Sequence, residues 1–140
     1  MRLPPRSLPA AVLAAAFAAS LSASVPAFAK AELSGTWVLR EIDGRAAISD
    51  AHTTLNLSEE RITGSGGCNM YSGIGQVAEG RVRVGLLAMT KMGCAADILE
   101  QETRFASALP VSVRYDIDAG GAMRVYDARG RLTMRLTRAR

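Results

Sequence analysis

From Met123 to Leu136 the chain alternates apolar and polar side chains: Met123 and Val125 against Arg124 and Tyr126, then Leu132, Met134 and Leu136 against Arg131, Thr133 and Arg135. Neighbouring side chains on a strand point to opposite faces. A two-residue period therefore gives each strand one face for a core and one for water. Ala128–Gly130 between the two runs reads as a turn. The same rhythm recurs upstream. "GTWVLREI" ends in the turn pair Asp43-Gly44, "TTLNLS" (53–58) sets Leu55 and Leu57 on one face, and Glu59-Glu60 turns it into "RITGSG". Ile74 and Val77 precede Glu79-Gly80, Val82 and Val84 follow it, and "VSVRYDID" runs into Gly120-Gly121. Such spacing fits about seven to nine short strands joined by hairpin turns.

One segment departs from this period. "ADILEQETRFASALP" (96–110) places Ile98, Phe105 and Leu109 at helical spacing, with Asp97 as N-cap and Pro110 as stop. Glu102 interrupts the apolar stripe. It reads as a carboxylate at the stripe's edge, or as one accepting hydrogen bonds from the backbone amides of a neighbouring loop, ahead of a functional acid. The expected fold is mainly β (α+β): a curved antiparallel sheet or partly open barrel, with one helix packed against it and Trp37 in the core.

At the front, Arg2 and Arg6 precede the apolar run Leu8–Leu21, and "SASVPAFA" ends in Ala27-Phe28-Ala29. Basic start, short apolar stretch and small-x-small exit describe a cleaved secretory signal over 1–29. The run falls short of the ~20 apolar residues that a membrane-spanning helix needs. A single domain over 30–140 is then expected, located in the periplasm or secreted, without an integral membrane segment. No Cys stands at the expected cleavage point to take a lipid. Of the 17 Lys and Arg, Arg2 and Arg6 leave with the signal, so 15 basic residues face 13 acidic ones. These charges are interspersed, which argues against a nucleic-acid footprint. The basic tail "RGRLTMRLTRAR" alternates Arg with Leu and Met, as the solvated face of a strand does.

The stretch "ITGSGGCNMYSG" (62–73) has a chemical and an architectural reading. A phosphate cradle requires glycines at a fixed spacing before a lysine and a helix, and Gly64, Gly66 and Gly67 meet neither condition. Zinc requires about four ligands; Cys68, Cys94 and the lone His52 fall short. His52 stands in the polar loop "SDAHTT", where a histidine is usually plain surface. The architectural reading uses every feature. The glycines allow positive φ and close backbone approach at a bulged strand end, Asn69 tolerates left-handed geometry or bonds its own backbone, and Cys68 points toward Cys94. An even cysteine count in an exported chain suggests that the two are bridged. Closing 26 positions would add roughly 3 kcal/mol and pin the helix start to the bulged strand.

The ordered set "GSGGCNMYSGIG", "LLAMTKMGC", "LEQETRFASAL" and "MRVYDARGRLTMRL", led by "LSGTWVLREIDGR", resembles the META domain, also called HslJ-like, over nearly all of 33–137. The resemblance implies a β-rich domain curled like lipocalin-related barrels, in exported or envelope-anchored bacterial proteins associated with envelope stress or secretion. It brings no generally established activity, cofactor or ligand, so no catalytic residue is carried over. The family's Gly-Cys-Asn element falls on Gly67, Cys68 and Asn69, preceded by Gly66; its Thr-x-Met-x-Cys element on Thr90, Met92 and Cys94; its helix acid on Glu102.

The function expected from all this is non-enzymatic: an exported envelope protein, monomeric, binding another envelope protein or a cell-wall component, with no catalytic residue, cofactor or metal. The alternative is a lipocalin-like carrier of a small apolar ligand, which requires a mostly apolar cavity of roughly 300 Å³ or more. A cysteine-dependent hydrolase or redox enzyme would instead require a free thiol of lowered pKa.

Overall fold

A computed structural model describes residues 33–140. The expected signal over 1–29 and the expected domain start at residue 30 lie outside the described residues. The alternating segments form strands: β1 (Gly35–Ile42), β2 (Arg45–Ala46), β3 (Thr54–Ser58), β4 (Arg61–Ser65), β5 (Met70–Ala78), β6 (Arg81–Met89), β7 (Ser112–Ile117), β8 (Met123–Asp127) and β9 (Leu132–Arg138). A 3₁₀ turn, Ser49–Ala51, precedes β3, and helix α1 (Ala96–Val111) links β6 to β7. All pairings are antiparallel, and from β3 to β9 each strand pairs with the next in the chain. β1 pairs with β3 through Gly35–Val38 and with β9 through Trp37–Ile42. Eight strands therefore close into a barrel, with β2 a short tag on β1. The seam is thinnest between β6 and β7, where only Arg81 and Arg114 pair. Helix α1 leaves the sheet at that seam and packs against β6 and β1.

Burial explains the closure. Trp37, Leu39, Leu55, Leu57, Ile62 and Tyr71 from the first half meet Val82, Met123, Val125, Met134 and Leu136 from the second in one cluster. Helix α1 adds Phe105, fully buried with its ring centroid 5.6 Å from that of Tyr71, and Leu109. Closing the sheet also removes the edges that would otherwise pair with other chains. Trp37 is buried as expected; its indole N–H donates to the Leu33 carbonyl at 2.9 Å, and the Arg138 guanidinium lies 4.7 Å over its ring.

The structure differs from the sequence expectations in three places. Helix α1 is not capped by Asp97: the cap position is Ala95, two residues earlier, with no side-chain cap, and Asp97 sits in the first turn. Cys94 is covalently held just ahead of it, so a tether sets the start where a cap would otherwise do so. Pro110 does not stop the helix, which runs on to Val111. A proline in the final turn forfeits its own N–H bond and leaves the next residues free to finish the turn. The Ser112 N–H then donates to the Leu109 carbonyl, and its hydroxyl to the Ala108 carbonyl at 2.8 Å. In β9 the alternation slips: Leu132 is exposed while Thr133 is buried. Tyr126 pairs with Leu132 and Val125 with Met134, so Thr133 is a bulge residue whose hydroxyl donates to the Val125 carbonyl at 3.1 Å. Apart from these, Ile74 faces solvent, beside an irregularity between β5 and β6.

Candidate functional site at the glycine–cysteine corner

The chain leaving β4 makes a tight loop before β5, closed by the Gly66 N–H donating to the Asn69 carbonyl at 2.7 Å. Gly64 and Gly67 have φ of +155° and +121°, a region that side chains rarely enter. Gly66 does not have positive φ; its requirement is space. A Cβ there would lie 2.6 Å from the Glu102 Oε2.

Glu102 reaches this corner from the second turn of α1. Its Oε2 accepts the backbone N–H of Cys68 at 3.0 Å and of Asn69 at 2.5 Å, and its Oε1 accepts the Asn69 side-chain amide at 2.6 Å. Burial pushes the carboxyl upward, but the Asn69 side chain, the Asn69 N–H and the Cys68 N–H together outweigh it and hold its pKa below the usual range. The stripe-interrupting acid thus takes the backbone-accepting role expected of it.

Asn69 is a hub, which sequence reasoning missed. Its φ is not positive, and its side chain does not serve its own backbone. While the amide donates to Glu102, the Oδ1 accepts the Thr90 hydroxyl at 3.0 Å and the Met92 N–H at 2.6 Å. The Thr90 hydroxyl oxygen in turn accepts the Met70 N–H at 3.1 Å. One buried amide therefore joins the β4–β5 corner, the segment after β6 and helix α1. Met92 enters through its backbone, and its side chain is 62% exposed. Cys68 and Cys94 form a disulfide with Cα atoms 5.9 Å apart, joining the corner covalently to the segment between β6 and α1.

A second bridge was also unforeseen. The Gln101 amide donates to the Thr53 hydroxyl at 3.0 Å, Thr53 donates to the Gly66 carbonyl at 3.0 Å, and the Gln101 Oε1 accepts the Ile48 N–H at 2.6 Å. The only hint in the sequence is Gln101 beside Glu102, two polar residues on a face that has to be buried. Tyr71 lies beneath the corner, its hydroxyl donating to the Thr54 carbonyl at 2.7 Å, and burial pushes its phenol well above the usual range.

The chemistry available follows from these bonds. Both sulfurs are consumed in the bridge, and the carboxylate is saturated with donors. His52 is exposed at the end of the 3₁₀ turn. Among the described residues no group of three or more His, Cys, Asp or Glu could hold a metal ion. No buried side-chain N or O atom there lacks a hydrogen-bond partner.

A family model described as the META domain matches residues 31–140. This chain belongs to the META domain family. Its fold is shared by solved structures: an NMR structure of a protein at 26% identity and TM-score 0.59, covering 74% of this chain and 87% of that one, and an NMR structure of a protein from Burkholderia xenovorans at 24% identity and TM-score 0.62, covering 98% and 99%. No curated protein matches the chain. In this META domain Cys68, Asn69, Thr90, Met92, Cys94 and Glu102 meet at one corner. The disulfide is consistent with an oxidising compartment. Among the described residues no helix is long and apolar enough to cross a membrane.

Proposed function

We propose that this META domain is an exported, non-enzymatic protein of the cell envelope, associated with stress or secretion, acting by binding another envelope protein or a cell-wall component. One observation carries the reading: the polar and sulfur groups of the glycine–cysteine corner are spent on architecture. Glu102, Asn69 and the Cys68–Cys94 bridge saturate one another, so the corner lacks a free nucleophile or base. Binding through the outer surface is then the economical role. The carrier alternative draws less support, because Trp37, Phe105, Met123, Met134 and Leu136 fill the barrel interior. The grooves of about 400 and 510 Å³ that are lined by β5, β6 and α1 lie open on the outside. Fractionation with cross-linking in intact cells tests the proposal. It predicts the protein in the envelope fraction with a reproducible cross-linked partner; a cytoplasmic protein, or turnover of a substrate by the purified chain, refutes it.

A further inference from the structure

The β5–β6 ribbon bulges at its middle. Gly73 pairs with Leu87 and Gly75 with Val84, so Gly85 and Leu86 both lie opposite Ile74. An extra residue in one strand bends it and re-aims its side chains. Here it leaves Leu86 97% and Ile74 73% exposed. Open grooves flank the pair, one of about 400 Å³ along Gln76 and Arg83 and one of about 510 Å³ along Leu87 and Pro110.

Register fixes the charges beside this protrusion. Arg61 stands opposite Ile74, Arg83 opposite Gln76, Arg81 opposite Ala78 and Arg114 opposite Arg81. Directly opposed residues share a face, as do residues two apart on a strand, so four guanidinium groups share the outer face with Ile74. All four are exposed, and none forms an ion pair among the described residues. Arg81 and Arg114 oppose each other directly, a like-charge pair that disfavours the sheet unless an anion lies between them. Arg114 lies 4.2 Å over the Tyr126 ring and within electrostatic reach of Asp116, which is itself held by Arg124 at 2.6 Å; Glu60 lines the groove with Arg83, and the guanidinium groups remain in excess.

We propose that this face docks on an anionic phospholipid surface, Leu86 and Ile74 entering the interface while Arg61, Arg81, Arg83 and Arg114 contact the phosphates. Aliphatic side chains that project into solvent, ringed by exposed cations outside any ion pair, match a deformable anionic interface. A peptide would instead call for apolar anchors lining a pocket. The inference takes its biological setting from the envelope reading above, but the measurement stands apart from it.

The test is co-sedimentation of the purified, oxidised protein with phosphatidylcholine vesicles, with and without about a quarter phosphatidylglycerol. The protein is expected to pellet with the anionic vesicles only, and to be released as salt rises from about 0.1 M to about 1 M. Leu86→Glu and Ile74→Glu should each weaken partitioning by about tenfold, and Arg81→Ala with Arg83→Ala by a similar factor. These side chains are exposed, so unchanged thermal melts will confirm that the variants fold. Equal pelleting with both vesicle types, no pelleting at all, or a dimer in light scattering that Leu86→Glu abolishes each overturns the proposal. Failure here leaves envelope fractionation untouched, and a cytoplasmic location leaves the vesicle result untouched.

Discussion

Replacing Glu102 with glutamine preserves shape and removes charge. The native carboxylate accepts from the Cys68 N–H, the Asn69 N–H and the Asn69 amide. Glutamine keeps one acceptor oxygen and turns the other into a donor, so whichever way it rotates a donor meets a donor. Hydrogen bonds to charged groups contribute about 1.5–3 kcal/mol each, and a buried donor left unmatched costs a further 1–3 kcal/mol or so. A loss of about 3 kcal/mol follows, which in a domain of this size lowers Tm by more than about 10 °C. Urea melts of both proteins at pH 7, with the disulfide intact and the slope unchanged, measure it. The pH dependence supplies a second signature. The Glu102 pKa is depressed on folding, so its contribution is fully present above the unfolded value of about 4.3 and fades as pH falls through the folded one. The gap between wild type and Glu102→Gln should narrow below about pH 4. A difference under about 1 kcal/mol at pH 7, or a gap that persists in acid, refutes the clamp reasoning.

Gly66→Ala places a methyl 2.6 Å from the same carboxylate; it should cost about 1–3 kcal/mol, and in a double-mutant cycle with Glu102→Gln the two losses should fail to add. Phe105→Ala empties the centre of the core and should cost about 3–5 kcal/mol in the same melts. Cys68→Ala with Cys94→Ala reopens a 26-residue separation and should lower stability by about 3 kcal/mol, read as a fall in the urea midpoint. Coincident melts for the oxidised and bridge-free proteins would remove the disulfide from the account.

Much of the barrel was legible because burial follows a two-residue period. Leu55 with Leu57, and Met134 with Leu136, announce an inward face whatever lies across from them. Thr133 was misjudged because a bulge is a property of two paired strands, and register is not written in either strand alone. The start of α1 at Ala96 and the bridge ahead of it were legible, but Asp97 was misread as the cap because it sits inside the first turn, where no side chain caps the helix. At the corner, Glu102 was conspicuous as an acid in an apolar stripe, and the two cysteines as the only candidates for a bridge. The hub role of Asn69 was hidden, because its partners Thr90 and Met92 arrive from the far end of β6 and Glu102 from the helix beyond. Long-range satisfaction of buried polar groups selects such residues, and one segment cannot display it.

The most direct test is thiol alkylation of the protein recovered from cells, followed by intact mass measurement. With Cys68 and Cys94 acting as an architectural clamp, no label is taken up before reduction and two are taken up after it. A label on either cysteine before reduction contradicts the account and returns the corner to the reactive centres.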